Sequence, residues 1–463
     1  MVVLVCVGIF MTTLDTSIVN ISLPSIARAF GVMPGGTVEW VIIGYLVVIA
    51  ALLLTAGRLS DAIGRAPVWT AGLVIFTLGS ALSGAAPSLE LLIGARVLQG
   101  IGGALIMATS TAILTGAVPS TERGRALGLS AVAVALGTSA GPTVGGLLTQ
   151  QLGWRWIFYV NLPIGVAAVV ATRHLLRGPR RGGRGSFDPP GALLLAVGLA
   201  APTLGLSLGS TWGWTSPLLI GTVGLGAAAL CGAVFVERRV PHPIVDPRLF
   251  RDRTLVSGLA NMMCSMLALF AVSYLMPFYF EELRGFSTAK SGLLLTPLPL
   301  VIVVVGPLAG AASDRYGSRW IVPVGLAIEA VALVLLARLD ATTSTLGMVI
   351  PLALTGIGQG LFQAPNTSAV MGAAPATEEG EVSGLLATSR VAGQALSVAV
   401  AGAVFGGLGA AAAGVALSAQ RTHAAGAEAL QATFLHGFRM ALLVCAVFAT
   451  VGALAALWGG RRR

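Results

Sequence analysis

Leu14-Asp15-Thr16-Ser17-Ile18-Val19-Asn20 places a carboxylate inside an apolar run that extends from about Val2 to Leu23. Such a run is long enough to cross a hydrocarbon core roughly 30 Å thick, so it reads as a membrane helix with an acid in its middle. A charge at the bilayer centre costs at least about 2.5 kcal/mol on insertion scales and usually faces a bundle interior or a wet cavity. Asp15 is therefore a candidate for an ion or substrate path; the plainer reading is a packing carboxylate fixed by a neighbouring helix. Thr12, Asp15, Val19 and Ser22 share one helical stripe, which gives the acid a partly polar face.

Composition extends that reading to the whole chain. Of 463 residues, 56% are hydrophobic and 10% charged, far below the charged share of a soluble domain. The net charge of +10 does not indicate nucleic acid, because the arginines sit in short gaps between apolar runs and act as topology signals. Cys6, Cys231, Cys264 and Cys445 occupy separate runs without paired spacing, and the four histidines match no metal pattern, so neither a disulfide framework nor a metal site is expected. No cleavable signal is expected either.

Fourteen apolar runs of membrane-crossing length follow one another, the first six near 2–23, 38–58, 67–86, 89–117, 124–149 and 155–176. Two more lie near 190–210 and 216–236, and the last six near 254–280, 289–312, 320–338, 345–370, 381–408 and 434–458. An even count puts both termini on one side. Arg58, Arg65, Arg123, Arg125, Arg173 to Arg184, Arg238 to Arg253, Arg315, Arg319 and Arg461 to Arg463 would then share that side, which is expected to be the cytoplasm.

The chain also repeats itself. Gly57-x-x-x-Asp61-x-x-Gly64-Arg65 returns as Gly310-x-x-x-Asp314-Arg315-x-Gly317-x-Arg319, displaced by 253 positions. Thr121-Glu122-x-Gly124-x-x-x-Gly128 returns as Thr377-Glu378-x-Gly380-x-x-x-Gly384, displaced by 256, and Gln99-Gly100-Ile101-Gly102 is echoed by Gly356-Ile357-Gly358-Gln359-Gly360. Each copy spans six runs. The expected organisation is therefore a six-helix bundle over 1–176, a linker with two extra membrane helices over 177–252, and a second six-helix bundle over 253–463.

On these motifs the chain resembles the fourteen-span drug:proton antiporter family of the major facilitator superfamily. The resemblance runs through Leu14 to Pro24, Glu39-Trp40-Val41 with Tyr45, Gly57 to Arg65, Arg96-Val97-Leu98-Gln99-Gly100, Gly137-x-x-x-Gly141-Pro142-x-x-Gly145-Gly146 and Trp154 to Pro163. It implies an all-α integral membrane protein of the major facilitator fold: two six-helix bundles with two inserted helices, without cofactor or enzymatic activity. It further implies a multi-pass exporter in the cytoplasmic membrane, with both termini cytoplasmic. The expected partners are the lipid bilayer, protons and a small-molecule substrate, with no nucleic acid and one chain acting alone.

Depth arithmetic pairs the first acid with a base. Asp15 lies about 20 Å from the inner end of its span at 1.5 Å per residue, and Arg96, in a span of opposite direction, lies at about the same depth. A guanidinium favours a charged carboxylate and desolvation favours a neutral one, so a motion that separates the two could load or release a proton; a static buried pair is the alternative. Arg96, Gln99, Gly103, Met107 and Ser110 share a stripe that suits a cavity wall. Glu329, the other acid within a span, is a second proton-coupling candidate, with a carboxylate facing a wet crevice as the rival reading.

Gly137, Gly141 and Gly145 form a side-chain-free stripe that permits close helix approach, and Pro142 removes a backbone hydrogen bond and bends its helix. The resemblance makes this the antiporter motif. Gly57, Asp61, Gly64, Arg65, Asp314, Arg315 and Arg319 are the expected inner gate, with glycines that let helices meet, although Ala62 and Ala66 stand where the family carries basic residues. The cavity expected from the resemblance is lined by Asn20, Gln99, Asn261, Tyr274, Gln359, Gln363 and Asn366, polar but uncharged. So few membrane acids suit a lipophilic monocation or a neutral amphiphile. A dedicated exporter of one endogenous metabolite or antibiotic remains an alternative, and a non-transporting membrane sensor a more distant one.

Overall fold

The structure, a computed structural model, describes residues 1–33, 36–116, 118–119, 123–175, 188–213, 215–240, 244–375, 378–419 and 426–459. Thr121, Glu122 and Thr377 of the second repeat, the arginine-rich stretch 177–184, Arg421, Arg461 to Arg463 and the side chain of Asp61 lie outside that set. Among the described residues, thirteen helices are long and apolar enough to cross a membrane. The first half holds five of them, α1 (Val2–Phe30), α2 (Trp40–Ile63), α3 (Arg65–Ala85), α4 (Leu89–Gly116) and α5 (Arg123–Gln151), together with the shorter α6 (Asn161–Leu175), which is preceded by a helical turn at Trp156–Tyr159. Next come α7 (Pro189–Ser207) and α8 (Pro217–Glu237). The second half holds α9 (Arg253–Phe278), α10 (Pro297–Tyr316), α11 (Ser318–Leu336), α12 (Thr345–Gly372), α13 (Glu379–Gly407) and α14 (Ala427–Gly459). A short helix at Thr288–Leu295 leads into α10. All fourteen expected runs are thus helical, and the fold is the all-α membrane architecture that the motifs imply.

Local chemistry sets the ends. Ser216, Asp252, Ser287 and Ser344 each accept a backbone N–H at the start of α8, α9, the Thr288–Leu295 helix and α12. Gly31 closes α1 at φ 65°, a conformation that costs other residues more.

Packing reproduces the sequence repeat atom by atom. A β-carbon on Gly102 would stand 2.3 Å from the amide nitrogen of Phe76, and one on Gly358 2.7 Å from that of Glu329. Gly100 lies against the Tyr45 carbonyl as Gly356 lies against that of Leu298, at 2.8 and 2.5 Å from such a β-carbon. Gly137 meets the Phe10 carbonyl as Gly393 meets that of Met263, at 2.9 and 2.6 Å. Residues on the first three helices of each half are displaced by 253 positions, those on the fourth and fifth by 256. Lipid tails offer no hydrophobic drive for helix association, so backbone contact at small residues carries these crossings.

The inserted pair crosses in the same way: a β-carbon on Gly226 would meet the Pro202 ring at 2.3 Å, and one on Gly198 would meet Leu230 at 2.6 Å. Beyond its partner α8, α7 packs on both α2 and α13. The insertion therefore lies along one seam between the halves.

Candidate functional site

Asp15 sits near the middle of α1 with no exposed surface. Its Oδ2 accepts a hydrogen bond from Arg96 Nη1 at 2.6 Å, and its Oδ1 accepts from Gln99 Nε2 at 2.8 Å and Asn161 Nδ2 at 3.0 Å. Arg96 is held in turn: Nε donates to the Val41 carbonyl at 2.9 Å, Nη1 donates to Gln99 Oε1 at 2.7 Å, and the guanidinium lies 4.1 Å from the centre of the Tyr45 ring. Asn161 also donates to Ser80 Oγ, whose hydroxyl donates to the Phe158 carbonyl. Two helices, α4 and α6, thus bond the carboxylate of α1, and the network continues to α2, α3 and the turn at Trp156–Tyr159. A buried ion pair offsets its desolvation cost only when further hydrogen bonds satisfy its lone pairs and protons; here Asp15 accepts three and Arg96 donates three, while Asn161 Oδ1 beside them has no partner.

This arrangement changes one expectation. The stripe of Arg96, Gln99 and Ser110 faces the interior of the first half rather than a cavity: all three are buried, and Trp69 Nε1 donates to Ser110 Oγ. Asn161, Ser80 and Val41 were not among the expected site residues. The available signal was an asparagine and a serine standing in otherwise apolar runs.

Glu329 does not join that cluster. It is fully buried in the second half, at the place where the first half carries Phe76. The Ser265 hydroxyl lies 3.0 Å from Glu329 Oε2 and 2.6 Å from Gln359 Oε1, while Glu329 Oε1 has no partner. One hydroxyl proton thus faces two acceptor oxygens. Gln359 Nε2 donates to Gln363 Oε1 at 3.3 Å, and Gln363 is half-buried.

The expected cavity residues are not brought to one surface. Gln99 belongs to the Asp15 cluster, Gln359 to the Glu329 cluster, and Asn366 donates to the Gly258 carbonyl at 3.0 Å. Tyr274 donates to Glu39 Oε1 at 2.5 Å. Asn20 and Asn261 are buried, each with a side-chain oxygen that has no partner. The reason is general: in an apolar bundle, buried polar atoms seek one another before they face a lumen.

The two halves are bonded to each other at the far end, where α1 finishes. There Arg28 pairs with Glu281, Tyr274 binds Glu39, Thr143 and Thr296 lie 2.6 Å apart through their hydroxyls, and the Ala289 amide donates to Gln150. The glycine motif borders this contact: Gly137, Gly141 and Gly145 pack within the first half, and Pro142 meets the second. β-Carbons on Gly141 and Gly145 would stand 2.3 Å from Ser17 Oγ and 2.7 Å from Ile18, so α5 lies directly on α1. On the other side of α5, a β-carbon on Gly292 would meet the Pro142 carbonyl at 2.1 Å.

At the near end, where α1 starts, contact between the halves runs along α2 and α13. Arg58 Nη2 lies 3.5 Å from Glu381 Oε2, and Gly384 approaches Leu54. Of the residues expected at the gate, a β-carbon on Gly57 would meet nothing within 4 Å, and Asp314, Arg315 and Arg319 are exposed. Gly57 therefore does not mark a close helix approach in this conformation, which is a correction to the sequence reading. Gly64 and Gly317 both have positive φ, 103° and 81°, and Arg65 donates to the Ala112 carbonyl at 3.0 Å.

Comparison with known proteins adds the following. The family model described as Major Facilitator Superfamily matches residues 5–192 and 191–398. The chain is 34% identical over 398 residues to the riboflavin transporter RibZ of Clostridioides difficile (strain 630), covering 86% of each chain. It is also 34% identical over 398 residues to the multidrug resistance protein Stp of Mycobacterium tuberculosis (strain ATCC 25618 / H37Rv), covering 86% of this chain and 74% of that one. In fold it is similar to a bacterial homologue of the human lysosomal transporter Spinster, with a TM-score of 0.68, 17% identity, and coverage of 99% of this chain and 96% of that one.

Proposed function

The chain belongs to the major facilitator superfamily and is a multi-pass membrane transporter of small molecules, and we propose that it is a proton-coupled antiporter that exports lipophilic drugs or other toxic compounds across the cytoplasmic membrane. The observation that carries this reading is the Asp15 cluster: a carboxylate without solvent exposure, at mid-span, bonded 2.6 Å from Arg96. Protonation of Asp15 cancels the attraction that holds Arg96, Gln99 and Asn161 together, so the first half gains a second arrangement. Proton and drug then compete for one occluded state as the bundles 1–176 and 253–463 rock about the linker 177–252. Glu329, with Ser265 and Gln359, is the secondary candidate in the other half. Gln363, half-buried, together with Asn20 and Asn261, each with an oxygen to spare, forms the polar part of the substrate path.

The arginine distribution supports a cytoplasmic near end, with both termini there. On that assignment the far-end bonds close the outside and this conformer opens inward; the motifs from Gly57 to Arg65 and from Gly310 to Arg319 come together when it reverses.

Everted vesicles energised with a pH gradient test the reading. Asp15→Asn is expected to abolish gradient-driven ethidium transport while the protein remains folded and inserted. Transport with undiminished proton sensitivity in that variant would refute the assignment. A second reading, export of one endogenous product, is favoured by the similarity to a protein named a riboflavin transporter. Protection of cells against a single compound, rather than many, in a toxicity panel would select it.

A further inference from the structure

The inserted helices carry two acids that the transport reading does not use. Asp188 caps α7: its Oδ1 accepts the Gly191 amide at 3.2 Å. Glu237 ends α8, where its Oε2 accepts the Ile244 amide at 2.6 Å and so ties down the chain that leads to α9. Each carboxylate therefore has one oxygen satisfied by backbone. The other two oxygens, Asp188 Oδ2 and Glu237 Oε1, are buried and without partner. They converge: the point where a Gly191 β-carbon would stand is 2.3 Å from the first and 3.0 Å from the second. Only glycine leaves that space to them. Asp188 and Glu237 are 7% and 4% exposed.

Two carboxylates that face each other out of water do not both remain ionised, because like charges at short range in low dielectric repel strongly. A metal ion would need more oxygen ligands than the pair supplies, and no group of three or more acidic, histidine or cysteine side chains able to hold a metal occurs among the described residues. A proton shared as O–H···O between two carboxyls needs one oxygen from each, and one from each is available. We propose that Asp188 and Glu237 hold one exchangeable proton between Oδ2 and Oε1, forming a proton-binding site in the insertion that is separate from Asp15.

Its surroundings give the site a consequence. Of the charged groups on the packed elements, which include Glu379 and Arg390 on α13 and Arg238 after α8, those linked to the pair are Arg58 from α2 and, through it, Glu381 from α13 and Asp246 from the connection to α9. Arg58 pairs with Glu381 across the seam between the halves and also acts electrostatically on Glu237, while the Asp246 amide donates to Glu381. When the shared proton leaves, the pair carries two negative charges and competes with Glu381 for Arg58. The near-end ion pair between the halves then weakens.

Infrared spectra of the purified protein read the proton directly, whatever the protein transports. The neutral carboxyl stretch of the wild type, sensitive to deuterium exchange, is expected to lose one carboxyl's intensity in Glu237→Gln and in Asp188→Asn. Because Gln and Asn cannot share an acid proton, the pH of half-maximal transport should also move by about one unit in either variant, and Glu237→Asp should retain part of the band if Glu237→Gln folds poorly. Unchanged band intensity in both single variants would overturn the proposal, as would loss of the wild-type band on adding sodium chloride, which would mean that a metal cation occupies the pair. The Asp15 reading is judged separately: loss of the band with normal Asp15-dependent transport supports both, whereas the same loss in a protein that moves no substrate sinks only the antiporter assignment.

Discussion

Phe76 and Glu329 occupy equivalent places at matched helix crossings, each with its amide nitrogen against a glycine of the next helix, yet one is an aromatic ring and the other a buried carboxyl. The reverse holds elsewhere. Asp15 and Arg96 of the first half correspond to Ala268 and Leu352 in the second. The crossings are made by backbone meeting glycine, and side-chain chemistry is laid over them independently. The halves can therefore keep one geometry while placing an acid opposite a guanidinium in one bundle and beside a serine and a glutamine in the other. An ion pair can be charged or discharged as its partner moves; a carboxyl with only neutral neighbours is held by hydrogen bonds alone.

The sharpest way to break this comparison is to neutralise the paired acid. Asp15→Asn is expected to lower gradient-driven efflux by about 100-fold or more, since it removes the titrating group and leaves Arg96 buried without its counter-charge. Efflux within threefold of wild type would place the coupling elsewhere. Next come the shared crossings: Gly102→Ala and Gly358→Ala should each cost about 1–3 kcal/mol, read as matched falls in melting temperature in detergent. A large fall for one and none for the other would show that the crossings are not equivalent. Asn161→Ala removes one charge-assisted hydrogen bond to Asp15 and is expected to reduce efflux about tenfold and to lower stability by about 1–3 kcal/mol. If it has no effect, the contact from α6 serves packing only. Smallest is Glu329→Gln, which retains the shape and adds an N–H where two acceptors share one hydroxyl proton; efflux should change by about threefold or less. A loss as deep as that of Asp15→Asn would make the second half an equal partner in coupling.

The fold was legible because a bilayer writes its requirements into composition. Each crossing needs about 20 apolar residues, loop arginines mark sides, and the duplicated Gly57 to Arg65 motif shows where the copies begin. The Asp15–Arg96 contact was legible for a similar reason: a helix rises by a fixed amount per residue, so depth follows from counting. Rotation about a helix axis does not. Arg96, Gln99 and Ser110 were correctly seen as one stripe, but which neighbour the stripe faces depends on how six helices settle together. The same limit hid Asn161 and scattered Tyr274, Gln359 and Asn366 among three different hydrogen-bond sets. Gly57 was misread because a glycine in a loop motif does not say in which conformation its neighbour arrives.

The placement of α7 has one more consequence. It lies along α2 and α13 on one flank only, while on the opposite flank α5 and α10 touch near Pro142 and Thr296 and then present Leu129, Val132, Leu136, Val303, Val304 and Leu308 outward. A body bound along one edge cannot part evenly: its pivot lies near the bound edge, and displacement grows with distance from it. If the bundles rock as proposed, the gap between them opens most on the flank that presents these apolar side chains, and a solute dissolved in lipid would meet a broader entrance there than one arriving beside the inserted pair.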